Sequence, residues 1–231
     1  MKQVGFFRAA RLVALKDLRL EWRTLETLSA SVIFSLIVLV IFNFAFGLST
    51  LKQLGAARLV PGVIWIVIAF ASVVGMARSF QLELRRDTLS ALFLAPIDRG
   101  ALFAGKFAAN LVKIGVLEAV VLPLTAIFFD YDLLAVAGPM AFVVFLHTLG
   151  LAVLGTLFSA VSARLGRGEA LLSTLLFPAA SPLFISAVKA TATVLEGRSL
   201  AAVVHWLYLS AGFGALYMML ALLTFEFVLE D

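Results

Sequence analysis

The chain has 231 residues, of which 63% are hydrophobic and 14% charged, and its formal net charge is +4. A soluble domain has roughly 45–50% apolar and about 25% charged residues, so this composition favours a protein whose apolar surface is embedded in a lipid membrane. Because the sequence contains no cysteine, disulfides, thiolate metal sites and cysteine nucleophiles are excluded.

Residues 1–25 predict a basic amphipathic helix at the inner membrane surface. Six apolar side chains share one stripe at helical spacing: Val4, Phe7, Leu15, Leu18, Trp22 and Leu25. Basic residues, Lys16, Arg19 and Arg23, lie to one side, where anionic headgroups would attract them. Arg11 falls within the stripe, and a basic leader that only sets topology is the alternative.

Six largely uncharged stretches follow, each long enough for the roughly 20 apolar residues that a spanning helix needs. They cover 27–51, 59–77, 107–129, 133–163, 170–188 and 199–225. The two-residue alternation of barrel strands is missing, so these stretches predict helices. The fold class is therefore an all-α polytopic membrane protein, with 1–231 forming a single transmembrane domain.

Lysine and arginine predict the orientation. With the N-terminus inside, 13 of them lie in inner segments and four in outer segments. This bias predicts a cytoplasmic N-terminus and, after six spans, a cytoplasmic C-terminus. The isolated tryptophans Trp22, Trp65 and Trp206 fit interfacial anchoring.

Residues 78–106 form a long, charged inner segment that predicts a short helix for docking a soluble partner; a solvated connection is the alternative. Gly100, Gly105 and Lys106 match the start of a P-loop. Phe107 stands where the Mg²⁺-ligating Ser or Thr should be, and no strand precedes the motif, so no ATPase site is expected in this chain.

Glu118 and His147 are the candidate functional residues at membrane depth. A carboxylate there is costly unless neutral or paired, so Glu118 is expected to face the protein interior; Lys113 can snorkel to the inner surface. His147 and His205 are each more simply explained as packed or interfacial, and no spacing supports a metal site. Catalysis by His147 with Ser159 or Ser162 stays open, although no nucleophile elbow occurs.

The fifth span contains Pro178 and Pro182, which free backbone carbonyls that protein or water must satisfy. Residues 183–204 are moderately apolar and predict an outer segment that re-enters the membrane face before the sixth span.

The most specific pattern is a set of short motifs around the inner segment: Arg78-Ser-Phe-Gln-Leu-Glu83, Asp87-Thr-Leu89, Leu94-Ala-Pro-Ile-Asp-Arg99, Gly105-Lys106 and Asn110. With its length, spans and basic start, the chain resembles the CcmB family, the heme exporter protein B of cytochrome c maturation, within the ABC-2 class of transporter permeases. Asp87 and Ser90 stand where the family pattern usually has Gly and Glu.

The resemblance implies a type V ABC-2 permease in the plasma (inner) membrane that acts in heme delivery or export. It implies a coupling helix that contacts a separate CcmA-like ATPase through Phe80, Glu83, Asp87, Leu89, Leu92, Pro96, Asp98 and Arg99. It also implies a permease homodimer, a CcmC-like heme-handling protein and a heme chaperone, with ATP bound by the partner. No cofactor, metal or nucleic acid is expected on this chain, and heme is expected at most through the complex.

Two alternatives stay open at the level of sequence. The same layout serves ABC-2 permeases that export a lipid, a polysaccharide or a drug. A protein of a different class, an intramembrane enzyme built around Glu118, His147 and the serines, would need no ATPase partner.

Overall fold

The computed structural model describes the backbone of residues 5–85, 98–165 and 168–229, and every regular element in these ranges is helical. Seven α-helices are α1 (Phe6–Thr24), α2 (Glu26–Leu54), α3 (Ala56–Arg85), α4 (Arg99–Phe129), α5 (Ala137–Arg164), α6 (Gly168–Leu195) and α7 (Val204–Leu229). Two short 3-10 helices, Leu134–Val136 and Leu200–Val203, lead into α5 and α7. The all-α prediction is confirmed.

Six segments are long and apolar enough to cross a membrane. They are Glu26–Gly47, Ala56–Ala77, Arg99–Phe129, Leu134–Ala163, Ala170–Leu195 and Leu200–Phe225. The six predicted spans are therefore confirmed, and the chain is a multi-pass membrane protein. The third span was predicted to begin after Lys106, but it begins at Arg99. Lys106 is buried within α4 and does not mark a solvated end.

The spans differ sharply in how much of their surface the bundle covers. Within the most apolar 18-residue stretch of each span, 67% of the residues are buried in α3 and α5, against 17% in α2 and α7. Thus α3 and α5 form the centre of the bundle, while α2 and α7 lie at its periphery with few of their residues fully buried. Polar side chains on the central helices are consequently screened from lipid by neighbouring helices.

The helix α1 contacts the bundle through a face that the sequence pattern did not single out. Ala9 and Val13 are buried against the rest of the chain. Phe7 and Trp22, from the predicted apolar stripe, are exposed. At 100° per residue these two faces are nearly opposite, so α1 has one side for the protein and another available to lipid. The exposed stripe agrees with an interfacial helix, whose membrane position stays a prediction.

The helix α6 continues through both of its prolines. Pro182 cannot donate to the carbonyl of Pro178, and Ser181 Oγ donates to that oxygen at 2.8 Å. Tyr217 on α7 donates to the next carbonyl, that of Ala179, at 2.5 Å. The expectation that protein groups satisfy freed carbonyls is confirmed for the carbonyl of Pro178. The boundary predicted at residue 183 falls inside α6, which continues to Leu195; re-entry of 183–204 stays a prediction.

Candidate functional site: the α1–α4 junction and the buried polar groups

The predicted coupling segment is described only at its two ends. Phe80 and Glu83 lie on the last turns of α3, where the backbone alone is described. Asp87, Leu89, Leu92 and Pro96 lie outside the described residues. The contacts predicted for these six side chains therefore stay predictions.

Asp98 and Arg99 mark the point where the chain enters the third span. Asp98 is the N-cap of α4, and its side chain accepts a hydrogen bond from the backbone N–H of Ala101 at 3.2 Å. A capping carboxylate satisfies a donor that the helix itself cannot and complements the positive end of the helix dipole. Arg99 is the first residue of α4. Asp98 thus caps the start of α4, and Arg99 follows it directly.

The P-loop-like residues Gly100, Gly105 and Lys106 belong to the first two turns of α4. A P-loop presents successive backbone N–H groups to a phosphate from an open turn, whereas these N–H groups lie on a regular helix. The match to the P-loop motif is therefore coincidental.

Lys106 joins α4 to α1 through a buried ion pair. Its ammonium lies 3.0 Å from the Asp17 carboxylate, and the two side chains are 1% and 9% exposed. Lys16, which is half exposed, contacts the other oxygen of Asp17 at 3.1 Å. A charge-assisted contact shielded from water is stronger than an exposed one, provided that both partners are present.

Gly105 allows the two helices to approach closely beside this ion pair. A Cβ atom at this position would lie 2.6 Å from both the carbonyl oxygen of Ala10 and the Cβ atom of Val13. Small residues at such crossings let backbones meet, as is common between membrane helices. We call the contact of Ala10, Val13 and Asp17 with Gly105 and Lys106 the α1–α4 junction.

Glu118 faces the protein interior, as predicted. The residue is 5% exposed and accepts a hydrogen bond from Thr148 Oγ1 on α5. The Thr148 hydroxyl is also 2.8 Å from the carbonyl oxygen of Val144, one turn earlier on the same helix. The carboxyl group therefore meets a polar partner at membrane depth, and its functional role stays a prediction.

His147 lies in a network that links α5, α6 and α7. Its Nδ1 is 2.7 Å from the carbonyl oxygen of Val143, which can only accept, so Nδ1 donates. Its Nε2 lies 2.6 Å from Ser210 Oγ and 3.2 Å from Ser186 Oγ. The two serine hydroxyls are 2.5 Å apart. All three side chains are at most 1% exposed.

Trp65 extends this network to α3. Its ring centroid is 5.4 Å from that of His147, and its indole N–H donates to Thr191 Oγ1 at 2.9 Å. Trp65 is 2% exposed, so the prediction that it anchors the interface is wrong. An indole can be buried when its N–H finds an acceptor, and α6 supplies one. Trp65, His147, Ser186, Thr191 and Ser210 form what we call the His147 cluster.

The serines proposed as partners of His147 are not its neighbours. Ser159 and Ser162 lie 12 and 15 residues further along α5, which is about 18 and 22 Å at 1.5 Å per residue. Ser159 instead donates to the carbonyl of Thr156 at 2.9 Å. Sequence reasoning missed Ser186 and Ser210, since their proximity depends on how separate helices pack.

No metal site is formed by the described parts of the chain. Within them, no three histidine, aspartate or glutamate side chains come together. His205 lies exposed at the start of α7, with its ring 4.8 Å from that of Trp206. The two histidines are thus in different settings, one enclosed and one at the surface.

Comparison with known proteins places this arrangement in a family. The family model of the CcmB protein matches residues 8–229, which include nearly all of the seven helices. The chain belongs to the CcmB family. This assignment confirms the resemblance carried by the motifs around the inner segment.

The curated relatives in this family are named heme exporter protein B. The protein of Escherichia coli (strain K12) is 31% identical over 80% of this chain and 80% of its own length. The Rhodobacter capsulatus protein is 28% identical over 82% and 85%, and the Bradyrhizobium diazoefficiens protein is 26% identical over 79% and 80%. CcmB-family similarity therefore extends over most of the membrane bundle and is not confined to one motif.

Proposed function

We propose that this CcmB-family chain is the permease subunit of an ABC transporter complex that delivers or exports heme for cytochrome c maturation. The observation that carries this proposal is the family match over residues 8–229, together with relatives named heme exporter protein B. In the proposal, the chain is a multi-pass protein of the plasma membrane with both termini in the cytoplasm. A separate CcmA-like subunit hydrolyses ATP, and this chain binds none.

The ATP-driven movement would enter between α3 and α4. Glu83 and Asp87 would contact the ATPase, and Asp98 and Arg99 would carry the displacement into α4. A shift of α4 would reach α1 directly, because Lys106 is paired with Asp17 and Gly105 abuts the backbone at Ala10. Rigid elements joined by buried contacts are suited to pass such a displacement.

Heme is proposed as cargo of the complex and not as a resident group of this chain. Both ring nitrogens of His147 are occupied by hydrogen bonds inside the bundle. An axial ligand needs a free nitrogen directed at the iron. Heme binding is therefore not assigned to His147 but to partner subunits, a CcmC-like protein and a heme chaperone, which would assemble with a homodimer of this permease.

The test is complementation in a bacterium that lacks its own family member, with this chain expressed beside its cognate ATPase. We expect c-type cytochromes to form with the natural sequence. Reversing charge at Glu83 and Asp87 together should abolish them and release the ATPase from the purified chain. Glu196→Lys, at an exposed glutamate just after α6, is the matched control and should leave both readouts unchanged.

Two results would contradict the proposal. One is unchanged recovery of the ATPase with both charges reversed, which would refute the docking assignment. The other is formation of c-type cytochromes in cells without the chain, which would refute the role in heme delivery.

A further inference from the structure

The helix α1 keeps its acidic side chains on the side that faces the bundle. Its two carboxylates, Asp17 and Glu21, follow the buried Val13 at intervals of four residues, which places them on the same side of the helix. Asp17 is paired there with Lys106. Glu21 uses its Oε1 to accept from the backbone N–H of Leu28 at 2.8 Å. Both acidic groups of α1 are therefore engaged by other groups of the chain.

The arginines of α1 lie on the remaining surface and have no such partners. All four are exposed: Arg8, Arg11, Arg19 and Arg23. Among the described residues, none of them has a carboxylate within ion-pair distance. The outer surface of α1 thus carries four guanidinium groups, and the carboxylates of the same helix do not compensate them.

This outer surface divides into a basic side and an apolar side. At 100° per residue, Arg8, Arg19 and Arg23 lie within about 60° of one another around the helix axis. Phe7 and Trp22 lie within about 60° of each other, on a sector roughly 100° from the basic one. Their side chains are 86% and 56% exposed. The helix therefore has a protein-facing side, a basic side and an apolar side.

A basic side next to an apolar side matches the surface of a membrane that contains anionic lipid. Guanidinium groups form paired hydrogen bonds with phosphate oxygens, and exposed aromatic side chains enter the boundary between headgroups and acyl chains. A soluble acidic protein would satisfy the arginines but would offer Phe7 and Trp22 no acyl chains. A zwitterionic lipid offers a phosphate, but its own ammonium cancels the charge.

We propose that the outer surface of α1 binds anionic phospholipids. Arg8, Arg19 and Arg23 contact the headgroups, while Phe7 and Trp22 lie among the upper parts of the acyl chains. Because the other side of α1 is bound to α4 through the α1–α4 junction, the same lipid contact holds the first part of the third span at the membrane surface. This inference does not depend on heme delivery or on ATPase coupling.

The first experiment measures which lipid the purified full chain retains, by native mass spectrometry. The probes are phosphatidylglycerol and phosphatidylcholine with identical acyl chains, supplied in equal amounts. We expect phosphatidylglycerol to be retained preferentially, since each arginine near an anionic surface contributes about fivefold to binding. Equal retention of the two lipids would overturn the proposal.

Paired substitutions locate the contact on α1. Arg19→Gln together with Arg23→Gln should lower the preference for phosphatidylglycerol by at least about fivefold. The matched control is Arg58→Gln together with Arg198→Gln, which removes two exposed arginines at the opposite end of the bundle and should preserve the preference. An unchanged preference in the α1 variant would place the lipid elsewhere and contradict the assignment.

A second experiment separates a membrane from a soluble acidic partner. Because the sequence contains no cysteine, Phe7→Cys and Leu12→Cys each provide a single site for a fluorescent label. Leu12 is 56% exposed and lies on the basic side of α1. In phosphatidylglycerol vesicles with brominated acyl chains, the label at Phe7→Cys should be quenched more strongly than the label at Leu12→Cys. Equally weak quenching at both positions would place α1 away from the acyl chains, and the lipid proposal would fail.

Discussion

The α1–α4 junction and the His147 cluster are both buried polar contacts, yet they are built from different chemistry. The junction uses full charges, Lys106 and Asp17, beside a glycine that brings two backbones together. The cluster uses an imidazole, an indole and hydroxyl groups on four helices. The junction connects α1 to the first part of α4, and the cluster connects the spanning helices α3, α5, α6 and α7 to one another.

This difference predicts how strongly each region responds to substitution. A buried ion pair depends on both partners, since removing one leaves an isolated charge. Hydroxyl and imidazole contacts between membrane helices contribute modestly, about 0.6 kcal/mol on average and up to about 1.7 kcal/mol. The junction should therefore be sensitive to substitution, whereas the cluster should tolerate it.

The largest effect is expected for Lys106→Met. It leaves the enclosed Asp17 without its buried partner, although the half-exposed Lys16 stays in contact, and should lower the free energy of unfolding by about 3 kcal/mol. The measurement is thermal stability of the purified chain in detergent. The double variant Lys106→Met with Asp17→Leu should recover part of the loss, since it removes both charges. A double variant less stable than the single one would refute the ion pair's role.

A smaller effect is expected for His147→Phe. The ring keeps its packing on Trp65, while Ser210 loses an acceptor but retains its contact with Ser186. The cost should be about 1 kcal/mol by the same thermal measurement. After heme loading, neither the natural chain nor the variant should show a Soret band at one heme per chain. A band that disappears with His147→Phe would make this chain a direct heme carrier.

The smallest effect is expected for Glu118→Gln. An amide oxygen can accept from Thr148 as the carboxyl group does, so stability should change by less than about 0.6 kcal/mol. Thr148→Val removes the hydroxyl that donates to Glu118 and so tests the other side of the same hydrogen bond. If cytochrome assembly fails in Glu118→Gln while folding is normal, the carboxyl group itself is needed, and Glu118 is more than a structural hydrogen-bond acceptor.

The number and identity of the spanning helices could be predicted because a long apolar run between charges rarely forms anything but a spanning helix. The interior position of Glu118 followed from the cost of exposing a carboxylate to lipid. Pairing between helices could not be predicted. The sequence suggested that Lys106 marks a solvated end of a span, because it does not show that Asp17 on α1 is its partner. It suggested that Trp65 lies at the membrane interface, because it does not show that Thr191 on α6 accepts its N–H.

The protein-facing side of α1 escaped prediction for a related reason. The apolar stripe with Phe7 and Trp22 predicted a membrane-facing side and did not indicate which side contacts the bundle, where the smaller Ala9 and Val13 are buried. For a helix between lipid and protein, the most apolar face need not be the one that faces the protein, because lipid also accepts apolar side chains. Asp17 beside Val13 was the signal that could have marked this side.

The most direct test of the proposed ATPase contact uses the absence of cysteine from the sequence. Single cysteines are introduced at Asp87 and, as a control, at Glu196, and each is treated with a short thiol-to-amine crosslinker in membranes that contain the cognate ATPase. The Asp87→Cys chain is expected to become linked to the ATPase, while the Glu196→Cys chain is not. Crosslinking from Glu196→Cys but not from Asp87→Cys would contradict the proposed contact.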